Sequence, residues 1–126
     1  MTLRTTLSLV AVVTVLGFSP PRHALPADSV KEFAITASPF AFEPETIEVT
    51  EGDRVRLTLR SADTTHGMAI GELEVKVKIP KGGAPVTAEF VASKPGTFVI
   101  KCSEYCGPGH KKMLGTLVVT PKKEVQ

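Results

Sequence analysis

What this chain lacks narrows the reading first. Its 126 residues carry a formal net charge of only +2, and no basic run is interleaved with aromatics. Nucleic acid is therefore not an expected partner. No segment has helical periodicity, and there is no internal repeat or low-complexity tract, so neither a helical bundle nor a repeat array is expected. The apolar run Leu7–Phe18 has 12 residues, well short of the ~20 that a membrane-spanning helix needs. There are only two cysteines, and they stand four residues apart.

The first 27 residues differ from the rest. Arg4 precedes Leu7–Phe18, and the breaker-rich "SPPRHALPADS" follows. A basic start and an apolar stretch of about 7–15 residues are the marks of a secretory signal peptide. Ala27 suits the residue before a cleavage site, whereas Leu25 is larger than the small residue preferred two places earlier. Residues 1–27 are thus expected to be a signal peptide or a short N-terminal anchor, with residues 5–18 as the membrane tether in the second case. Both place the domain outside the cytoplasm, in the periplasm or on the outer face of the cytoplasmic membrane. Cleavage would remove Arg4 and Arg22 and no acid, leaving a neutral chain with no electrostatic sign of a strongly charged partner. His23 reads as a linker residue.

From residue 28 onward short apolar segments alternate with turns, and ten glycines and ten prolines supply the punctuation. "RVRLTLR" (54–60) alternates strictly, with Val55, Leu57 and Leu59 on one face and Arg54, Arg56, Thr58 and Arg60 on the other. A period of two marks a strand with one buried face. "LEVKVKI" (73–79) repeats it. Further strands are expected at 30–37, 46–50, 86–92, 97–101 and 115–120, and "GMAI" reads as a strand start that packs Met68. The aromatic "SPFAFEPET" reads as a connection. Seven or eight short strands over residues 28–120 predict an all-β sandwich, with 121–126 as a polar tail.

The chemistry is concentrated in "KCSEYCGPGHKKMLG" (101–115). In an exported protein two cysteines first suggest a disulfide, but a 102–106 bridge closes a very small loop and stabilises little. It also leaves His110 and Met113 without a purpose. Thiolate, imidazole and thioether together form a soft donor set that suits copper. Zinc has no use for the thioether, and its usual sites pair Cys-x2–4-Cys with a distant His pair. Gly107, Pro108 and Gly109 let the backbone double back between Cys106 and His110. His66, in the exit loop after 54–60, is the obvious distal ligand, and Gly67 beside it permits close backbone approach. Cys106, His110, Met113 and His66 would complete a mononuclear blue-copper site. Cys102 is then surplus, and two thiolates point to two metals sharing both sulfurs.

"CSEYCGPGHKKM" resembles the Cys-x-Glu-x-Cys-x3-His-x2-Met signature of the binuclear copper (CuA) domain. That domain occurs in subunit II of haem-copper oxidases (cytochrome c oxidase) and in nitrous oxide reductase. "THG" (65–67) and "LGTLVV" (114–119) look like the same family, and the likeness spans roughly residues 30–120. It implies a cupredoxin Greek-key sandwich carrying two copper ions. Cys102 and Cys106 would bridge them, and His66 and His110 would each cap one. Met113 would be a weak ligand to one metal and the backbone carbonyl of Glu104 to the other. The implied function is single-electron transfer in a respiratory chain, between a cytochrome c-like donor and a haem-copper oxidase or other acceptor. No catalytic site of its own is expected. The chain would be a free-standing exported CuA protein or a minimal oxidase subunit. The alternatives are a mononuclear copper protein for electron transfer or for copper storage and delivery, and a redox-inactive disulfide domain. Tyr105, the only tyrosine, is expected to pack over the centre, with a contribution to docking as the alternative. Lys101, Lys111 and Lys112 read as ordinary solvated surface.

Overall fold

The computed structural model describes residues 30–124; the expected signal peptide or anchor at 1–27 lies outside them. Among the described residues the chain forms β1 (Val30–Ser38), β2 (Ala41–Glu43), β3 (Thr46–Thr50), β4 (Arg54–Ser61), β5 (His66–Ile70), β6 (Val75–Ile79), β7 (Val86–Val91), β8 (Gly96–Lys101) and β9 (Leu114–Thr120). Two 3-10 turns, Gly71–Leu73 and His110–Lys112, are the sole helical pieces among these residues. No helix there is long and apolar enough to cross a membrane. The all-β sandwich expected from the alternation is what forms.

One sheet has the order β2-β1-β4-β7 and the other β3-β9-β8-β5-β6. Most neighbours are antiparallel, but β1 runs parallel to β4 and β3 parallel to β9. Val55, Leu57 and Leu59 of β4 point inward and are wholly buried. They meet Met68 and Ile70 of β5, Ile100 of β8 and Leu117 of β9 in one core cluster. Burying each large aliphatic side chain is worth roughly 1.5–3 kcal/mol. A one-residue slip of β4 would exchange all three for arginine and threonine, so its register is strongly specified. On the outer face Arg56 bonds Glu32 of β1 at 2.8 Å and Glu89 of β7 at 2.6 Å, the two residues directly opposite it in register.

Three local readings need correction. The strand expected at 73–79 begins at Val75. Gly71–Leu73 forms a turn closed by Glu74 at φ 56°, whose N–H donates to the Gly71 carbonyl at 3.1 Å. Within "SPFAFEPET" the three residues of β2 pair with β1 and bury Phe42, a strand too short for its alternation to show. His66 is no loop residue; it is the first residue of β5, opposite Ile79. Residues 121–124, the described part of the polar C-terminal segment, are exposed and outside any strand.

Candidate metal centre

β8 and β9 are antiparallel partners, so the segment 102–113 between them leaves and re-enters one end of the same sheet. β5 flanks β8 on its other side, with Ala69 opposite Lys101. That order brings His66 to the cysteine segment from the neighbouring strand. The Ser103 N–H donates to the Gly67 carbonyl at 3.3 Å, which fixes the two chains against each other. A Cβ on Gly67 would stand 2.9 Å from the Glu104 nitrogen and would also run into the Ser103 side chain. Glycine here is a requirement of close approach.

Both cysteines are free. Their sulfurs lie 3.6 Å apart, far beyond the ~2.05 Å of a disulfide bond. One donor atom each from His66, Cys102 and Cys106 falls within 4.8 Å of the others. Cys106 Sγ is also 3.7 Å from His110 Nδ1 and 3.8 Å from Met113 Sδ. Cys102 Sγ donates to the Glu104 carbonyl at 3.1 Å, so it is the backbone oxygen of Glu104, not its carboxylate, that faces the sulfurs. The structure therefore gathers His66, Cys102, Glu104 (through its carbonyl), Cys106, His110 and Met113 at one end of the sandwich. His66 and Met113 are wholly buried and Cys102 nearly so; Cys106 and His110 are half-buried.

The environment of His66 is the most telling. Its Nε2–H donates to Asp63 Oδ1 at 2.7 Å, and that hydrogen bond holds the Asp63 carboxyl below the usual carboxylate range. In the neutral ring Nδ1 is then the nitrogen without a proton, and it is buried with no hydrogen-bond partner. An orphaned buried acceptor is costly unless something else uses it. A histidine that ligates a metal through one nitrogen commonly gives the other N–H to a carboxylate. The thiols fit the same reading. Burial, and then its hydrogen bond with Cys102, push the Cys106 thiol up to about 11. A thiolate pair here needs a neighbouring cation, which a bound metal supplies. Soft sulfur donors with imidazoles fit copper.

Asp63 carries no signature in the sequence that sets it apart from an ordinary turn residue. Phe40 was also missed. It sits at φ 63°, and its ring occupies the space beside Gly107 and Gly109 where side chains would otherwise be. Gly107, at φ 133°, accepts the His110 N–H at 3.1 Å, so the doubling-back of "GPG" is realised with Phe40 as its lid. Tyr105 departs from expectation. It is 76% exposed with its ring centroid 5.7 Å from that of His110, so it stands over the site without packing into the core. A larger cavity, about 710 Å³ between Glu51, Ser93 and Lys122–Glu124, lies where β7 turns into β8, at the end of the sheet away from these donors, and offers no soft ligand.

Residues 8–119 match the model of the cupredoxin-like domain. The chain belongs to this family. It is also homologous to cytochrome c oxidase subunit 2, being 30% identical over 104 residues to that subunit of Thermus thermophilus. The match covers 81% of this chain and 76% of that one, but only 61% of a second subunit 2 of the same species. Among solved structures, the periplasmic domain of cytochrome oxidase subunit II from Bradyrhizobium japonicum superposes with a TM-score of 0.64 at 21% identity, over 71% of this chain and 83% of that one. Auracyanin A, a blue copper protein of Chloroflexus aurantiacus, gives 0.61 at 19%, over 73% of this chain and all of the other. At those identities the likeness speaks for the fold, and the cupredoxin-like sandwich is thereby shown. Subunit II homology with a cupredoxin fold points to copper electron transfer.

Proposed function

We propose that this is an exported electron-transfer protein that carries a binuclear CuA copper centre and works on the periplasmic side of the membrane. The observation that carries the reading is the set of two free thiols 3.6 Å apart beside a buried His66 whose Nδ1 has no partner. A mononuclear site built on Cys106 gives Cys102 no task. Two sulfurs shared between two metals give it one.

In this reading Cys102, Cys106, His66 and His110 would hold the copper ions, with Met113 and the Glu104 carbonyl as weaker ligands. The copper centre, when bound, supplies the one-electron couple. The protein does the rest. Asp63 holds the His66 tautomer that offers Nδ1. Gly67 lets the two backbones meet, and Phe40 seats the glycine turn, so the donors are held in one arrangement for both oxidation states. Buried Met113 closes the core side of the site, while half-buried His110 borders the cavity lined by Lys101, Lys111 and Leu114 and would be the exit for an electron. The donor would be a cytochrome c-like protein and the acceptor a haem-copper oxidase, a role supported by the homology to subunit 2. A chain with this role has no catalytic centre of its own.

The distances around Cys106 also support a second reading, a mononuclear copper protein, because His110 and Met113 both approach that sulfur. Copper stoichiometry with electron paramagnetic resonance on the copper-loaded protein decides. Two coppers per chain with one unpaired electron shared by both nuclei is the expected result. One copper with single-nucleus hyperfine structure would replace the binuclear centre with the mononuclear one.

A further inference from the structure

The exposed rim of the candidate centre has a definite charge and shape. Lys101, Lys111, the half-buried His110 and exposed Leu114 line a shallow cavity of about 390 Å³, whose floor includes Cys102 and Met113. Leu114 is 44% exposed and Tyr105 76%, so apolar surface stands directly over three of the donor residues. Lys112 is exposed on the turn next to Lys111. None of the three lysines takes part in an ion pair among the described residues, where the pairs are Arg56 with Glu32 and Glu89, and His66 with Asp63.

The acids near this face are committed elsewhere or stand aside. Asp63 is held by His66. Glu104 is half-buried on the segment itself, the sole acid between Lys101 and Leu114. Glu45 turns its carbonyl to β9, accepting the Thr116 N–H at 2.8 Å, and its side chain is exposed. Three lysines against one glutamate leave the segment positive. Unpaired surface charges contribute little to stability. They act instead on association, where complementary charge raises encounter rates and like charge suppresses wrong partners.

We propose that this face docks a redox protein whose contact surface is acidic around an apolar centre, with Lys101, Lys111 and Lys112 steering it and Tyr105 and Leu114 filling the contact. The proposal rests on the electron-transfer reading above and specifies the partner's chemistry. A strongly basic cytochrome is a poor match to this rim.

The test is stopped-flow electron transfer between the copper-loaded protein and two soluble c-type cytochromes, one acidic and one basic at the haem edge, across ionic strength. The acidic cytochrome should react faster at low salt, by about tenfold or more, and lose that advantage as salt rises. The triple variant K101E/K111E/K112E should reverse the order while its copper content and spectrum stay as in the parent. A parent that prefers the basic cytochrome, or a variant whose rate with the acidic one is unchanged, overturns the proposal. If the parent exchanges electrons with neither cytochrome nor with a small uncharged mediator, the electron-transfer reading itself fails and takes the docking surface with it.

Discussion

Asp63 Oδ1 stands 2.7 Å from Nε2 of the wholly buried His66 ring, and by accepting the Nε2–H it leaves Nδ1 with its lone pair free to ligate. The pair spans the exit from β4 to the first residue of β5, so the ring's orientation is decided before the cysteine segment meets it. Asp63→Ala should therefore weaken copper retention by about 10–100-fold. A chelator-competition titration reads the change. An unaltered affinity would mean that packing alone orients the ring.

Gly67→Ala tests the close approach of β5 to the cysteine segment. The added methyl meets the Glu104 nitrogen at 2.9 Å and the Ser103 side chain, and overpacking of this kind costs about 1–3 kcal/mol. Urea unfolding of the metal-free protein should show that loss. Copper titration should show a weaker site, because the segment that moves carries Cys102.

Replacing the thiols one at a time separates the one-copper and two-copper readings. Cys102→Ser leaves Cys106, His110, Met113 and His66. In the two-copper reading its copper count should fall from two to one with single-nucleus hyperfine structure, whereas in the one-copper reading count and spectrum stay as in the parent. Cys106→Ser removes the sulfur that both His110 Nδ1 and Met113 Sδ approach, and should bind copper far more weakly. Equal behaviour of the two variants would contradict these unequal roles.

Met113 is wholly buried, so its replacement by leucine conserves volume and should change stability by less than about 1.5 kcal/mol. The effect belongs to the metal. Loss of a weak thioether donor disfavours the oxidised state, and the reduction potential measured by voltammetry should rise. A large drop in thermal stability with an unchanged potential would make Met113 a core residue and nothing more.

Much of this was legible in the sequence, for a physical reason. Val55, Leu57 and Leu59 alternate with arginine and threonine, and a strand with one buried face cannot hide that pattern. The donors from Cys102 to Met113 are close neighbours along the chain, so their spacing carries their geometry. His66 stands out as a candidate because so few histidines compete with it. The supporting contacts were not legible. Asp63 looks like any turn-forming residue, and its partner is apparent only once the His66 ring has a direction. Phe40 reaches Gly107 and Gly109 across the sandwich, and no local period encodes a contact over that separation. Tyr105 was misread because flanking residues do not reveal which side of a loop faces water.

The parallel pairing of β3 with β9 also sets an order of events. Thr50 and Thr120, side by side at the end of that ladder, are 70 residues apart in the chain. Contacts of such long sequence separation form slowly, and ribosomal synthesis runs from the N-terminus. β9 is the last of the described strands to emerge, and until it docks the segment bearing both thiols has only one anchored end. His66 waits in its strand with nothing to face. A metal at this site would therefore meet a pocket that is complete only once β9 has paired, and would follow the sandwich rather than seed it.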